Sequence, residues 1–274
     1  MALPGELSLD DFRGFLPAPS ATDDKYSRGV LGVVAGSLDY PGAAVLVTEA
    51  ALRSGVAMAR IIAPEPVRSL VLAARPEAVG VPGRIDALVV GSGMAIGDEI
   101  ATRIGSCQIP DTAPKVIDAG ALGYAGDIVG PRILTPHHGE MTELARSLQL
   151  PGENPAEWAA ALAHLWQVVV VLKSHRPEVY TPQGLAHRLP EGSHWLASAG
   201  TGDVLAGLLG AIVTLRQPAS WSMEELARCS AAAVLVHQDA AARVSRRLGQ
   251  GRPGPVLAHE LAIELSGVVT SLVD

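Results

Sequence analysis

Val168-Val169-Val170-Val171-Leu172, running into Lys173-Ser174, is the stretch on which the fold turns. Five consecutive apolar residues, four of them β-branched, read as a strand with no polar face. A strand of an antiparallel sheet with one wet face would alternate apolar and polar side chains. A continuous run instead implies a parallel sheet covered on both sides. Working outward, Val30 to Ala35, Ala59 to Ile62, Asp86 to Val90, Lys115 to Asp118 and Ile133-Leu134 are further β-rich runs. Helical patterns lie between them: about Gly42 to Ser54, Val67 to Ala74, the segment after Glu140 to about Leu148, and Glu157 to Leu165. Val179-Tyr180 and Ala186 to Leu189 flank Pro182-Gln183-Gly184 and read as a hairpin. The remainder reads as helix at about 203–215, 223–246 and 256–271. The fold class is therefore α/β, with a mostly parallel central sheet and helices on both faces. Residues 1–27, rich in Pro, Asp and Ser, read as an N-terminal arm. Residues 28–274 read as a single domain without linker, repeat or low-complexity tract.

In such sheets ligands bind at the carboxyl ends of the strands. Gly91-Ser92-Gly93, Asp118-Ala119-Gly120, Thr135-Pro136-His137-His138-Gly139-Glu140 and Lys173-Ser174 each follow a strand directly. All four are expected on one rim.

Ala199-Gly200-Thr201-Gly202-Asp203 opens an apolar helix. Two glycines let the backbone approach a ligand closely. The helix start adds free N–H groups and the positive end of its dipole, which suits a phosphate or a developing oxyanion. Asp203 in the first turn is expected to be ionised at neutral pH and able to take a proton from a substrate hydroxyl. Gly200 to Asp203 also fit a plain helix cap. His137 fits either a strand-to-helix cap or a substrate contact. Lys173 fits either an exposed strand end or a point charge facing nucleotide phosphates. Gly91-x-Gly93-x-x-x-Gly97 is off the dinucleotide spacing. There is no Walker-type loop, nucleophile elbow or zinc motif.

The 274 residues carry 21 basic and 28 acidic side chains, a net charge of −7 that argues against a nucleic-acid partner. Arg246-Arg247 is an isolated basic pair. Cys107 and Cys229 make neither a disulfide framework nor a zinc site, so a reducing cytoplasm is the expected compartment. The N-terminus lacks the basic and apolar regions of a signal peptide. The longest apolar run, Val204 to Leu215, is well short of the roughly 20 residues that span a bilayer, so no membrane partner is expected.

Taken in order, these segments resemble the ADP-dependent NAD(P)H-hydrate dehydratases of the ribokinase-like superfamily. The resemblance rests on Gly36-Ser37-x-x-Tyr40-x-Gly42-Ala43-Ala44, Ala51-Leu52-Arg53-Ser54-Gly55, Gly91-x-Gly93, Ile117-Asp118-Ala119, Leu134-Thr135-Pro136-His137-x-Gly139-Glu140, Leu172-Lys173 and Leu196-Ala197-x-x-Gly200-Thr201-Gly202-Asp203-Val204-Leu205-Ala206-Gly207. It implies a three-layer ribokinase-like fold. It also implies a repair reaction: ADP phosphorylates the hydroxyl of the hydrated nicotinamide ring, phosphate is eliminated, and NAD(P)H, AMP and phosphate result. Magnesium, ADP (or ATP), the S epimer of NAD(P)H hydrate and a symmetric homo-oligomer, a tetramer, come with it. By position, Asp203 would be the base and Gly200, Thr201 and Gly202 would hold the transferring phosphoryl. Ala43, Gly93, His137 and Asp203 would contact the hydrate. Lys173, Ser174, His175, Arg176 and Gly202 would contact the nucleotide. No metal ligand is singled out.

The chain departs from the family pattern at Ser174, usually Gly, at Gly120, usually Asp or Asn, and at Glu191-Gly192-Ser193-His194-Trp195, where Asn-x-x-Gly is usual. About 25 residues precede the match, so a fused epimerase domain is not expected, and a separate epimerase would serve the same pathway. A vitamin-precursor kinase of the same superfamily using ATP, or a nucleotide-binding paralogue without turnover, are the alternatives.

Overall fold

A computed structural model describes residues 7–95 and 99–273. Eight strands form one sheet in the order β2-β1-β3-β4-β5-β6-β7-β8. They are β1 (Val30–Val34), β2 (Met58–Ile61), β3 (Ala87–Val90), β4 (Lys115–Ile117), β5 (Arg132–Leu134), β6 (Val169–Leu172), β7 (Glu178–Thr181) and β8 (Gly184–Arg188). The first six are parallel, and β7 and β8 close the edge as an antiparallel hairpin, as the Pro182-Gln183-Gly184 turn implies. The helices are α1 (Pro41–Arg53), α2 (Glu65–Ala74), α3 (Ile100–Gly105), α4 (His138–Leu148), α5 (Pro155–Trp166), α6 (Thr201–Arg216), α7 (Met223–Leu248) and α8 (Ala258–Val269).

Strand alternation sorts the core into two layers. Leu31, Val33, Val89, Val116, Ile133, Val169 and Val171 pack with α1, α2, α6, α7 and α8. Val34, Leu88, Val90, Ile117, Leu134, Val170 and Leu172 pack with α3, α4 and α5. Helices therefore cover both faces, and the continuous apolar runs are explained. Helix α3 has no counterpart in the sequence reading; its six residues are too few to display a helical period. Likewise Ala119–Tyr124 form a 3₁₀ turn where the sequence offers only small residues and glycine.

Within the expected arm, Phe12, Phe15 and Leu16 are fully buried against the first layer, and residues 1–6 lie outside the described residues. The two phenylalanine rings meet edge-on at 5.2 Å, with the Arg216 guanidinium 4.4 Å from the Phe15 centroid. Arg216 also donates to the Phe15 carbonyl at 2.8 Å. The mainly polar composition of residues 1–27 hides this three-residue plug. Phe12→Ala is expected to destabilise the fold by about 3–5 kcal/mol, read as a lowered midpoint in urea denaturation.

Candidate active site

The strand alternation that builds the core also builds the site. Asp118, Thr135 and Lys173 each stand one residue beyond a strand, in phase with Val116, Ile133 and Val171. All three therefore emerge on the α6 face. Asp118 is buried, and its carboxylate accepts from Ser92 Oγ at 2.9 Å, Thr135 Oγ1 at 2.7 Å and Lys173 Nζ at 2.8 Å. These bonds tie together the carboxyl ends of β3, β4, β5 and β6, so the four expected rim segments meet. Glu140 adds a second carboxylate 3.7 Å from Lys173 Nζ.

Burial opposes the charge on Asp118, but Lys173 and the three hydrogen bonds outweigh it and hold the carboxyl below its ordinary range. Burial likewise disfavours the Lys173 ammonium, but Asp118, Glu140 and Asp203 outweigh it and keep the group charged. Lys173 is thus neither an exposed strand end nor a free point charge; it is held by Asp118 at the base of the site.

Helix α6 begins at an unusual cap. Gly200 is left-handed, with φ +87°, and offers no side-chain cap. That left-handed backbone favours glycine, and a Cβ there would also stand 2.9 Å from Ala258 Cβ. Thr201 Oγ1 donates to the Leu196 and Ser198 carbonyls, fixing the turn before the helix, and Thr201 N–H points back to Ser198 O at 3.4 Å. Of the three expected phosphoryl-holding positions, Thr201 and Gly202 line the cavity described below and Gly200 does not. The site of a Gly202 Cβ lies 3.6 Å from Lys173 Nζ. Buried His237 on α7 donates Nε2–H to the Thr201 carbonyl at 2.9 Å, and burial lowers its pKa to about 4, so it is neutral at pH 7.

Asp203 corrects an expectation. Burial first, and the Asp118 charge second, raise its pKa to about 7, only partly offset by Lys173. The helix start alone favours the carboxylate, but the sheet behind it carries a second carboxylate that the sequence does not show to be near. Asp203 is poised near half-ionisation at neutral pH.

A cavity of about 840 Å³ opens between this corner and α7. Lys173, Ser174, His175, Thr201, Gly202 and His137 all line it, together with His237 and an apolar wall of Val171, Leu196, Leu205 and Val234. Arg176 is not part of the lining; its exposed side chain pairs with Glu191 at 3.4 Å. Ser174 Oγ bonds the backbone of Arg176 on both its N–H and carbonyl, so the serine shapes the loop. His137 is the N-cap of α4: its Nδ1 accepts from Gly139 and Glu140 N–H, and Glu140 accepts from His137 N–H in return. The ring proton is thereby placed on Nε2, so cap and cavity wall are one residue. Ala43 and Gly93 lie elsewhere on the rim and touch each other: a Cβ on Gly93 would fall 2.3 Å from that of Ala43. Gly97 lies outside the described residues.

Ser92, Asp118, Thr135 and His237 belong to the site without being singled out by the sequence alone. For Asp118 and Thr135 the signal was present, as the first polar residue beyond an apolar strand in the inward phase. His237 stands three residues after Val234 on the buried side of α7 and was readable only as core.

A family model described as NAD(P)H-hydrate dehydratase matches residues 31–262. An ADP-dependent (S)-NAD(P)H-hydrate dehydratase of Xanthomonas campestris is 31% identical, over 93% of each chain. The bifunctional NAD(P)H-hydrate repair enzyme Nnr of Mycobacterium leprae is 36% identical over 91% of this chain and 52% of its own, so this chain spans about half the length of such relatives. A crystal structure of the ADP/ATP-dependent NAD(P)H-hydrate dehydratase from Bacillus subtilis, co-crystallised with ATP/Mg2+, superposes with a TM-score of 0.77 at 27% identity, over 96% of both chains. Ribokinase from Thermotoga maritima, at 13% identity and a TM-score of 0.55, shares the fold alone. The fold is ribokinase-like, and the chain belongs to the NAD(P)H-hydrate dehydratase family.

Proposed function

We propose that the protein dehydrates the S epimer of NAD(P)H hydrate at the expense of ADP, giving NAD(P)H, AMP and phosphate. The observation that carries this reading is Asp203 in the first turn of the uncapped α6, the turn whose Thr201 and Gly202 line the cavity although Asp203 itself does not. Asp203 takes the proton of the ring hydroxyl as that oxygen bonds to the terminal phosphorus of ADP. The bond from that phosphorus to the AMP oxygen breaks, and AMP leaves with the electron pair. The α6 N-terminus and Lys173 face the charge on the phosphoryl oxygens, which is the main help phosphoryl transfer needs. The ring C–O bond to the phosphate then breaks, phosphate leaving with its electron pair, as the adjacent ring carbon gives up a proton to solvent and the C=C bond is restored. Ala43, Gly93 and His137 are assigned to the hydrate, and Lys173, Ser174, His175 and Gly202 to the nucleotide.

Magnesium fits as a passenger of the nucleotide. Among the described residues no cluster of three His, Cys, Asp or Glu side chains is arranged to hold a metal ion. Asp118 and Glu140 already face Lys173. When bound, the ion neutralises phosphate charge. The same reading makes the protein a symmetric homotetramer of the cytoplasm. Cys107 and Cys229 are free thiols, and among the described residues no helix is long and apolar enough to cross a membrane.

The test is direct. The protein is incubated with NADH hydrate, ADP and magnesium, and the return of NADH absorbance is followed. Recovery with equal release of AMP and phosphate is expected. Accumulation of a stable phosphorylated product, or no recovery with either ADP or ATP, overturns the reading.

A further inference from the structure

We propose that Asp118 is a positioning residue: pinned by Ser92 and Thr135, it holds Lys173 beside the first turn of α6 and sets a fixed negative charge behind Asp203. The inference rests on the assignment of Asp203 as the base, and it concerns what governs that base. Asp118 itself does not line the cavity.

The geometry leaves Asp118 little freedom. Its carboxylate is buried and takes hydrogen bonds from three different strand ends at 2.7–2.9 Å. Gly91 packs against its backbone: a Cβ there would fall 1.9 Å from the Asp118 carbonyl oxygen. Lys173 Nζ, bonded to Asp118 on one side, lies near Gly202 on the other. The ammonium thus reaches the phosphoryl end of the cavity already paired with Asp118. A free lysine in that place would pull Asp203 toward permanent ionisation and weaken it as a base. With Asp118 present its charge outweighs the pull of Lys173 at Asp203, and burial keeps the proton affinity of Asp203 high.

The charged and titratable groups around Asp203 are few. The sheet rim supplies Asp118 and Lys173, and α4 supplies Glu140 and His137, with His137 Nε2 3.6 Å from Glu140. Helix α7 supplies His237, bonded to Thr201 O. From α1 and α8 the groups against Gly200 are Leu46 and Ala258, which carry no charge.

The test is the pH profile of kcat/KM for hydrate dehydration, with Asp203 also followed directly by ¹³C-carboxyl NMR of the aspartate-labelled protein, its resonance assigned by loss in Asp203→Asn. Asp118→Asn should move the acid limb, and the Asp203 resonance midpoint, down by about one pH unit, because a like charge is removed and Lys173 is released. Lys173→Met should move both up by about one unit, and Lys173→Arg should restore them. A merely structural role would lower kcat or the melting temperature in all three variants and leave the midpoint in place. Unmoved midpoints in Asp118→Asn and Lys173→Met, or shifts of the same sign, overturn the proposal. Removing one partner of a buried pair destabilises the fold, so if Asp118→Asn does not fold, the opposed behaviour of Lys173→Met and Lys173→Arg decides. The resonance needs no turnover: a wild-type protein inactive on hydrate would sink the proposed activity while the NMR midpoints still judge Asp118.

Discussion

Replacing Asp203 by Asn is expected to lower kcat for hydrate dehydration by about 10²- to 10⁴-fold while ADP still binds. Asn fills the same volume at the third position of α6 and leaves the helix start intact, but it cannot accept a proton. In the wild type the rate should rise with pH through a midpoint near 7, since only the ionised form is a base and the group is half-ionised there. The stability consequence runs the other way. A carboxyl whose folded pKa is raised stabilises the fold below its unfolded pKa near 4, and that contribution is lost as pH rises toward 7. The Asn variant carries no such loss. It should therefore melt higher than the wild type at pH 8, and this advantage should shrink at pH 5. A trade of stability for activity at one buried group is what a functional site predicts. Activity of Asp203→Asn within a few-fold of wild type, with an unmoved acid limb, would remove Asp203 from the chemistry.

The sheet was legible in the sequence because its strands are apolar without interruption. Val168 to Leu172 admits one reading, and the register of its neighbours follows from the crossovers. The rim was legible for the same reason, since each polar or glycine-rich segment abuts such a strand. What the sequence could not display is which rim residues touch. Asp118 lies 55 residues before Lys173 and 17 before Thr135, and only the parallel pairing of β4, β5 and β6 makes them neighbours. The expectation of an ionised Asp203 failed on that point: it counted the local helix start and lacked the remote carboxylate. Phe12 and Phe15 were missed because a short apolar plug inside a polar stretch has no period to recognise. His237 was hidden because a buried imidazole on an apolar helix face looks like core until its partner, the Thr201 carbonyl, is known.

The glycines of α6 give the second large effect. Gly207 meets α1 so closely that a Cβ would fall 2.3 Å from the Val47 carbonyl oxygen and 3.0 Å from Ala50 Cβ. The obstacle is largely backbone within a packed helix pair, so it cannot rotate aside. Gly207→Ala is expected to destabilise the protein by about 3 kcal/mol, although alanine is the better helix former by about 1 kcal/mol. Gly267 supplies the contrast within α8: its added Cβ would meet only the end of Arg243, at 3.9 Å. Gly267→Ala should stabilise by up to about 1 kcal/mol through propensity alone. The same substitution is thus expected to change sign with its surroundings, read as opposite shifts of the urea midpoint. The loss at Gly207 should also reach function. Forcing α6 away from α1 displaces the helix whose first turn carries Gly202 and Asp203, and a displacement near 1 Å is enough to weaken catalysis by about 10²-fold. A Gly207→Ala protein that is less stable yet turns over at the wild-type rate would show that the first turn of α6 is anchored by Thr201, Leu196 and His237 alone, independently of the helix body.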